Sequence, residues 1–259
     1  MGNVRRQMTE SVDIKEAIAD AIEVVSKFVL PLYVEHRSRL MLIGSGFFVE
    51  TKSKLALVTA AHVLNRISNS NPLFVYRRPD ELVQITGERF LSHPEGIDLG
   101  FVLTSNFQLP WSDVSMFACR IEYLHAQRTP RTERLYVIAG YPETKNRLNP
   151  KNQTIKATIH AYYAHSIPDR EYKQYGLDPN MHVALPLDLK RGFDASGRRV
   201  NFPKPQGVSG SPIWELFDES EYADQPRTFP LVAVGTTYKD KILYGTDVGH
   251  LLSKLLVAL

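Results

Sequence analysis

Gly207-Val208-Ser209-Gly210-Ser211-Pro212, running into the apolar pair Ile213-Trp214, sets a serine between two glycines and closes with a proline. A serine that attacks a carbonyl has to stand exposed at a tight turn, with backbone N–H groups converging on the oxygen of the reacting carbonyl. Glycines permit the backbone dihedrals and the close approach that this demands. On this reading Ser209 is the nucleophile, and the N–H groups of Gly207 and Ser209 form an oxyanion hole. Gly-Ser-Pro clusters also mark ordinary turns, so the hexapeptide needs partners elsewhere in the chain.

Two stretches offer them. Val58-Thr59-Ala60-Ala61-His62-Val63-Leu64 is a β-like run ending in small residues and a histidine, and Gly44-Ser45-Gly46-Phe47-Phe48-Val49 precedes it. A histidine among apolar neighbours is commonly a satisfied core residue, but the general base of acyl transfer needs the same partly buried setting. Gly96-Ile97-Asp98-Leu99-Gly100-Phe101-Val102 carries an aspartate into an apolar strand, where an unpartnered carboxylate would be costly. His62 is the donor that Asp98 requires.

Around these motifs the chain reads as short β-rich runs: Leu40 to Val49, Leu55 to Thr59, Pro72 to Tyr76, Leu82 to Ile85 and Leu99 to Leu103. A second set comprises Leu135 to Ala139, Thr154 to Tyr163, His182 to Leu187, Pro212 to Leu216 and Leu231 to Val234. The polar, basic stretch between them reads as a connection. Two β-rich halves joined in this way suit a site built in the crevice between them. Helical spacing marks Asp13 to Val29 and Thr246 to Leu259, the first followed by Pro31 and the second capped by Asp247. The expected divisions are an N-terminal helix over 1–32, a first barrel over 33–120, a linker over 121–134, a second barrel over 135–245 and a C-terminal helix over 246–259. The stretch from Asp188 to Gln206, rich in glycine, proline and charge, reads as a mobile loop.

At 259 residues and 43% hydrophobic content the chain can bury a substantial core without help. Lysine plus arginine number 31 against 28 aspartates and glutamates, too even a balance to indicate nucleic acid or an anionic membrane as a partner. Basic clusters such as Arg128-Arg131-Arg134 read as solvated surface. Cys119 is the only cysteine, so no internal disulfide forms. With no recognisable signal peptide and no apolar run of membrane-spanning length, the expectation is a soluble, cytoplasmic protein. His160 and His165 lack a third ligand nearby, and neither a metal nor a cofactor is expected.

Taken together, the three motifs resemble those of the chymotrypsin-like (trypsin-like) serine peptidases, particularly bacterial members without disulfides. The order His62, Asp98, Ser209 is kept, with the histidine in a T-A-A-H context. Tyr136 to Pro142 is similar to the start of that family's second barrel. The resemblance covers about 40–103, 135–142 and 207–238. It implies a mainly β fold of two six-stranded antiparallel barrels, and endopeptidase activity on a protein or peptide substrate. Ser209 would attack the carbonyl while His62 takes and returns the proton and Asp98 orients the imidazole. Val234, Gly235, Thr236 and Thr237 would line the substrate strand. The specificity pocket would draw its walls from about Asn201 to Gln206 and Val234 to Tyr238. Val208 stands where zymogen-activated members carry an aspartate, so that activation route is absent, and control by a regulatory protein partner is the expectation. A protease-like module that only binds protein is the alternative. Ser211, in place of the motif's second glycine, is a small-for-small change.

Overall fold

Short, mostly continuous apolar runs bounded by turn residues give the chain two separate sheets, one from each β-rich half. The computed structural model describes residues 14–37, 39–50, 54–78, 81–92, 96–105, 118–124, 134–146, 157–216 and 229–258. The first sheet comprises β1 (Val29–His36), β2 (Arg39–Glu50), β3 (Leu55–Thr59), β4 (Leu73–Arg78), β5 (Glu81–Ile85), β6 (Gly87–Ser92), β7 (Leu99–Thr104) and the short β8 (Ala118–Arg120). Its order is β5-β4-β1-β2-β3-β7-β6, with β8 beside β2. The two ends of that path are separated in sequence by Thr86 alone, so β5 and β6 act as one bent strand that brings the sheet back on itself. Glycine is required at the bend: a Cβ on Gly87 would lie 2.0 Å from the Leu103 carbonyl oxygen. Counted this way, six strands build the first barrel and β8 is an appendix.

The second sheet comprises β9 (Leu135–Gly140), β10 (His160–His165), β11 (His182–Pro186), β12 (Gly192–Asp194), β13 (Arg199–Val200), β14 (Pro212–Leu216), β15 (Leu231–Lys239) and β16 (Ile242–Asp247). Its order is β11-β16-β15-β14-β9-β10-β12-β13. Six of these are the barrel strands, and β12–β13 is a hairpin added to β10. Across the gap between β10 and β11, the Tyr162 hydroxyl donates to Pro186 O (2.7 Å) and accepts from the Asp188 N–H (3.0 Å). The architecture is the expected chymotrypsin-like pair of β-barrels with terminal helices.

Three apolar clusters organise the interior. Leu32, Phe48, Leu57 and Val75 belong to the first barrel's core, and Tyr136, Ile138, Val183, Ile213 and Leu243 to the second's. The third joins Phe47, Val58 and Phe101 to Val137, Trp214 and Val234, and so forms the seam between the sheets. Helix α1 (Ile14–Ser26) buries Ile18, Ile22 and Val25 in that seam, and the C-terminal helix α3 (Gly249–Ala258) buries Leu251 and Leu255 there. The apolar stripe of α1 therefore packs within the molecule. Cys119 is fully buried in the same seam, where desolvation holds its thiol well above the ordinary range, as a small hydrophobe would be placed.

Several local expectations are corrected. The first helix ends at Ser26, and the chain turns through Lys27 and Phe28 into β1. Pro31 lies inside that strand and does not stop a helix. Strand β4 pairs with β1 only at Tyr33 and Val34, so Pro31 has a neighbour on one side and its missing N–H costs no second ladder bond. At the other terminus β16 extends through Asp247, and the helix begins at Gly249. Asp247 still serves the helix start, accepting the Gly249 N–H at 2.7 Å. The stretch 188–206 contains the β12–β13 hairpin and buries Phe202, so it is built into the second sheet. Most of the expected linker (125–133), with Arg128 and Arg131, and 154–156 of the expected run from Thr154 to Tyr163 lie outside the described residues. Arg134 is described and ion-pairs with the buried carboxylate of Glu215.

Candidate active site

Antiparallel register brings His62 to Asp98. Thr59, the last residue of β3, faces Gly100 near the start of β7. The short helix α2 (Ala61–Leu64) that follows β3 therefore stands beside the turn that leads into β7. His62 Nδ1 lies 2.5 Å from Asp98 Oδ2, and the His62 backbone N–H donates to Asp98 Oδ1 at 2.9 Å. Burial pushes the Asp98 carboxyl upward, but the bonds from the His62 ring and backbone, its charge and the Ala61 N–H outweigh this and hold it below the ordinary value. The ionised carboxylate fixes the proton on Nδ1 and leaves Nε2 as an acceptor without a partner among the described residues. The imidazole is half-exposed, open to a reactant.

Ser209 comes from the second half of the chain, in the turn that leads into β14. Two turns in series carry it: the Val208 N–H donates to Pro205 O, and the Ser211 N–H donates to Val208 O, both at 3.0 Å. The third residue of each is glycine at positive φ, +92° for Gly207 and +91° for Gly210, as a type II turn demands. Among the described residues, the N–H groups of Gly207 and Ser209 have no hydrogen-bond partner within the chain. They are the two donors that the oxyanion reading needs. The Ser209 hydroxyl donates to Thr236 O at 2.9 Å, and among the described residues no hydrogen bond joins it to His62.

A residue without a site role in the sequence reading joins the two halves. Ser45 is fully buried on β2; its hydroxyl donates to Gly207 O (2.8 Å) and accepts from the Tyr141 N–H (2.9 Å). Its backbone N–H donates to Ser209 O (2.8 Å), and its carbonyl accepts from the Thr59 hydroxyl (2.7 Å). The Ser209 turn is thus bolted to β2, the strand before the one that leads into the His62 helix. Small residues around it make room: a Cβ on Gly44 would lie 2.9 Å from Ser209 O, and one on Gly210 would lie 2.0 Å from Ser45 O. The run Gly44-Ser45-Gly46 within an apolar strand is the signal that could have pointed to this contact.

The second sheet also holds the Asp98 turn. His182 Nε2 donates to Gly96 O at 2.9 Å, and the Asp98 N–H donates to the Thr246 hydroxyl at 3.5 Å. His182 and Thr246 are register partners on β11 and β16, so two adjacent residues of one barrel grip the aspartate turn of the other.

Of the expected substrate residues, Val234 is buried, with Pro212 on one side and Thr246 on the other. Gly235 exchanges bonds with the nucleophile turn, its N–H donating to Ser211 O and its carbonyl accepting from the Gly210 N–H, both at 2.7 Å. Beyond them β15 loses its β14 neighbour while its pairing with β16 continues to Lys239. Thr236 is the extra residue of a bulge opposite Gly245 and Tyr244, which re-aims the strand beside Ser209. Thr236 and Thr237 therefore border the cleft, and Pro205 represents the expected 201–206 wall. His160 and His165 sit five apart on one strand, hence on opposite faces, and cannot share a ligand. Among the described residues no helix is long and apolar enough to cross a membrane.

No family model matches the chain, and no curated protein matches it. Among solved structures it is similar to the scabies mite inactivated protease paralogue S-I1, with a TM-score of 0.56 and 15% identity over 92% of this chain and 95% of that one. At that identity the likeness extends to the fold.

Proposed function

We propose that the chain is an intracellular serine endopeptidase acting through an acyl-enzyme intermediate. Ser209 is the nucleophile, His62 the general base and then acid, and Asp98 the residue that holds the imidazole in the Nδ1–H tautomer. The observation that carries the reading is that, among the described residues, the N–H groups of Gly207 and Ser209 have no partner, and neither has Nε2 of the His62–Asp98 couple. Each oxyanion donor is worth on the order of 2.7–4 kcal/mol in such a reaction. Among the described residues β15 has no strand partner on its β14 side at 236–238, which supports a substrate bound as an added antiparallel strand. A cysteine kept buried and unpaired fits a reducing, cytoplasmic setting and a protease that cuts a specific protein in a bacterial stress or defence response.

One observation favours a second reading, a catalytically silent module that only binds protein: the Ser209 hydroxyl is engaged by Thr236 O. In that case a regulatory partner would have to release it, or it would never react. A fluorophosphonate probe separates the readings. Labelling at Ser209, located by peptide mass spectrometry and lost in Ser209→Ala, supports the enzyme. Absence of labelling both for the purified protein and in lysate supports the binding module.

A further inference from the structure

Two hollows border the strand beside Ser209, and their sizes are the reverse of a cleft that selects at the cleaved bond. The one touching Ser209 is lined by Ile138, Pro205, Val208, Tyr238 and Leu243, and leaves about 10 Å³ for the centre of a water molecule. That is about the room for a single water. Ile138, Val208 and Leu243 belong to the second barrel's packed core, with Tyr238 against it, so the space cannot widen without disturbing that core.

The other hollow lies between the Asp98 turn and the segment after the 3₁₀ turn Asp169–Tyr175. Ile97, Asp98, Tyr175, Leu177, Thr237 and Tyr244 line it, and it offers about 270 Å³ by the same measure. Leu177 and the ring of Tyr175 are set by a small apolar cluster with Tyr172 and Ile242, which makes the wall firm. His182 at its margin is committed to Gly96 O, and Asp98, the charged lining residue, is committed to His62. The remaining lining is two tyrosines, Ile97, Leu177, two threonines and two glycines, with more of its exposed surface polar than apolar. The two hollows share Thr236 and Thr237, so a peptide paired to that edge reaches both at once.

We infer that this chain selects substrates by a bulky aromatic side chain seated between Tyr175, Leu177 and Tyr244, two to four residues before the scissile bond, and accepts only glycine, alanine or serine at the residue whose carbonyl Ser209 attacks. The inference rests on the proposed roles of Ser209 and of β15, and its test is made independent of turnover. Ser209→Ala protein is titrated with fluorescein-labelled, N-acylated heptapeptides that carry alanine at the attacked position and either phenylalanine or alanine at each of the three preceding positions. Phenylalanine at one of those positions should tighten binding about tenfold. The gain should shrink in Tyr175→Ala and vanish in Thr237→Phe, which fills the hollow, while circular dichroism verifies that each variant is folded. Replacing the attacked-position alanine by phenylalanine or lysine should abolish binding.

Equal affinity of the phenylalanine and alanine peptides overturns the inference, as does a phenylalanine gain that persists in Thr237→Phe. For wild-type protein, a proteome-derived peptide library read by mass spectrometry should return a small residue before the cut and an aromatic one upstream. Cleavage after large or basic residues would overturn it while leaving the protease reading intact. Aromatic-dependent binding by Ser209→Ala together with no fluorophosphonate labelling of wild type would do the opposite.

Discussion

Replacing Ser45 by alanine removes one hydroxyl and strands two groups, the Gly207 carbonyl and the Tyr141 N–H. Both partners are partly buried, so neither recovers its bond fully from water. Leaving a buried polar group unpaired costs about 1–3 kcal/mol; with part of that recovered at each, the pair should cost about 2–3 kcal/mol. For a chain of this size that corresponds to a fall in Tm on the order of 4–10 °C. Function should suffer more than stability, because on the proposed mechanism Gly207 carries one of the two oxyanion donors. At a temperature where both proteins are folded, the rate of fluorophosphonate labelling at Ser209 should drop by more than about tenfold. Thr59→Val is the matched control. It removes a bond of 2.7 Å to the carbonyl of the same Ser45, should cost about 1 kcal/mol, and leaves the Gly207 contact in place. Equal losses of labelling rate in the two variants, or an unchanged Tm in Ser45→Ala, would refute the view that Ser45 shapes the oxyanion turn.

Asp98→Asn should leave the fold intact and slow labelling by about 10⁴, because the amide no longer enforces the Nδ1–H tautomer. In Gly210→Ala the new Cβ would sit 2.0 Å from Ser45 O and from the Thr59 hydroxyl at a φ of +91°; destabilisation of more than about 3 kcal/mol and loss of labelling are expected, measured by urea unfolding and probe reaction. The buried Ser211 hydroxyl has no partner among the described residues, so Ser211→Ala should raise stability by about 1 kcal/mol in the same unfolding assay. Slight desolvation raises the Asp194 carboxyl, but hydrogen bonds from Ser196 and Arg198 outweigh it and bring it down to about 2. A lowered folded-state value stabilises above the unfolded one. The contribution should therefore be full above about pH 4 and disappear as pH falls toward 2, and Asp194→Asn should flatten that part of the stability profile.

What the sequence made legible was local. Pro212 to Leu216 and Leu55 to Thr59 coincide with strands because apolar runs between turn residues leave little choice of register. Strands β1 and β16 escaped because each borrows the signal of a neighbouring helix. Val29 completes a helical stripe begun at Ile14, and Thr246-Asp247 looks like a cap for the apolar repeat that follows. In both places tertiary pairing decides: Val29 faces Phe47, and Thr246 lies between His182 and Val234. The 188–206 stretch misled through composition, since glycine, proline and charge are equally the material of a tight hairpin, here closed by Asp194.

The site divides along the same line. His62, Asp98 and Ser209 stand out because each must be presented by its own chain neighbours: small residues before the histidine, an apolar strand after the aspartate, glycines about the serine. Ser45, His182 and Thr246 have undistinguished surroundings, and their importance lies in what they touch, at sequence separations of 162, 86 and 148 residues from Gly207, Gly96 and Asp98. Each of those contacts crosses from one barrel to the other. On the proposed mechanism the triad draws on both barrels and is only as well placed as the joints between them, so the residues that set its geometry need not be the ones that carry its chemistry. Changes at Ser45 or His182 should therefore alter the rate at Ser209 without altering which groups react, whereas changes at Asp98 should alter the protonation of His62 itself.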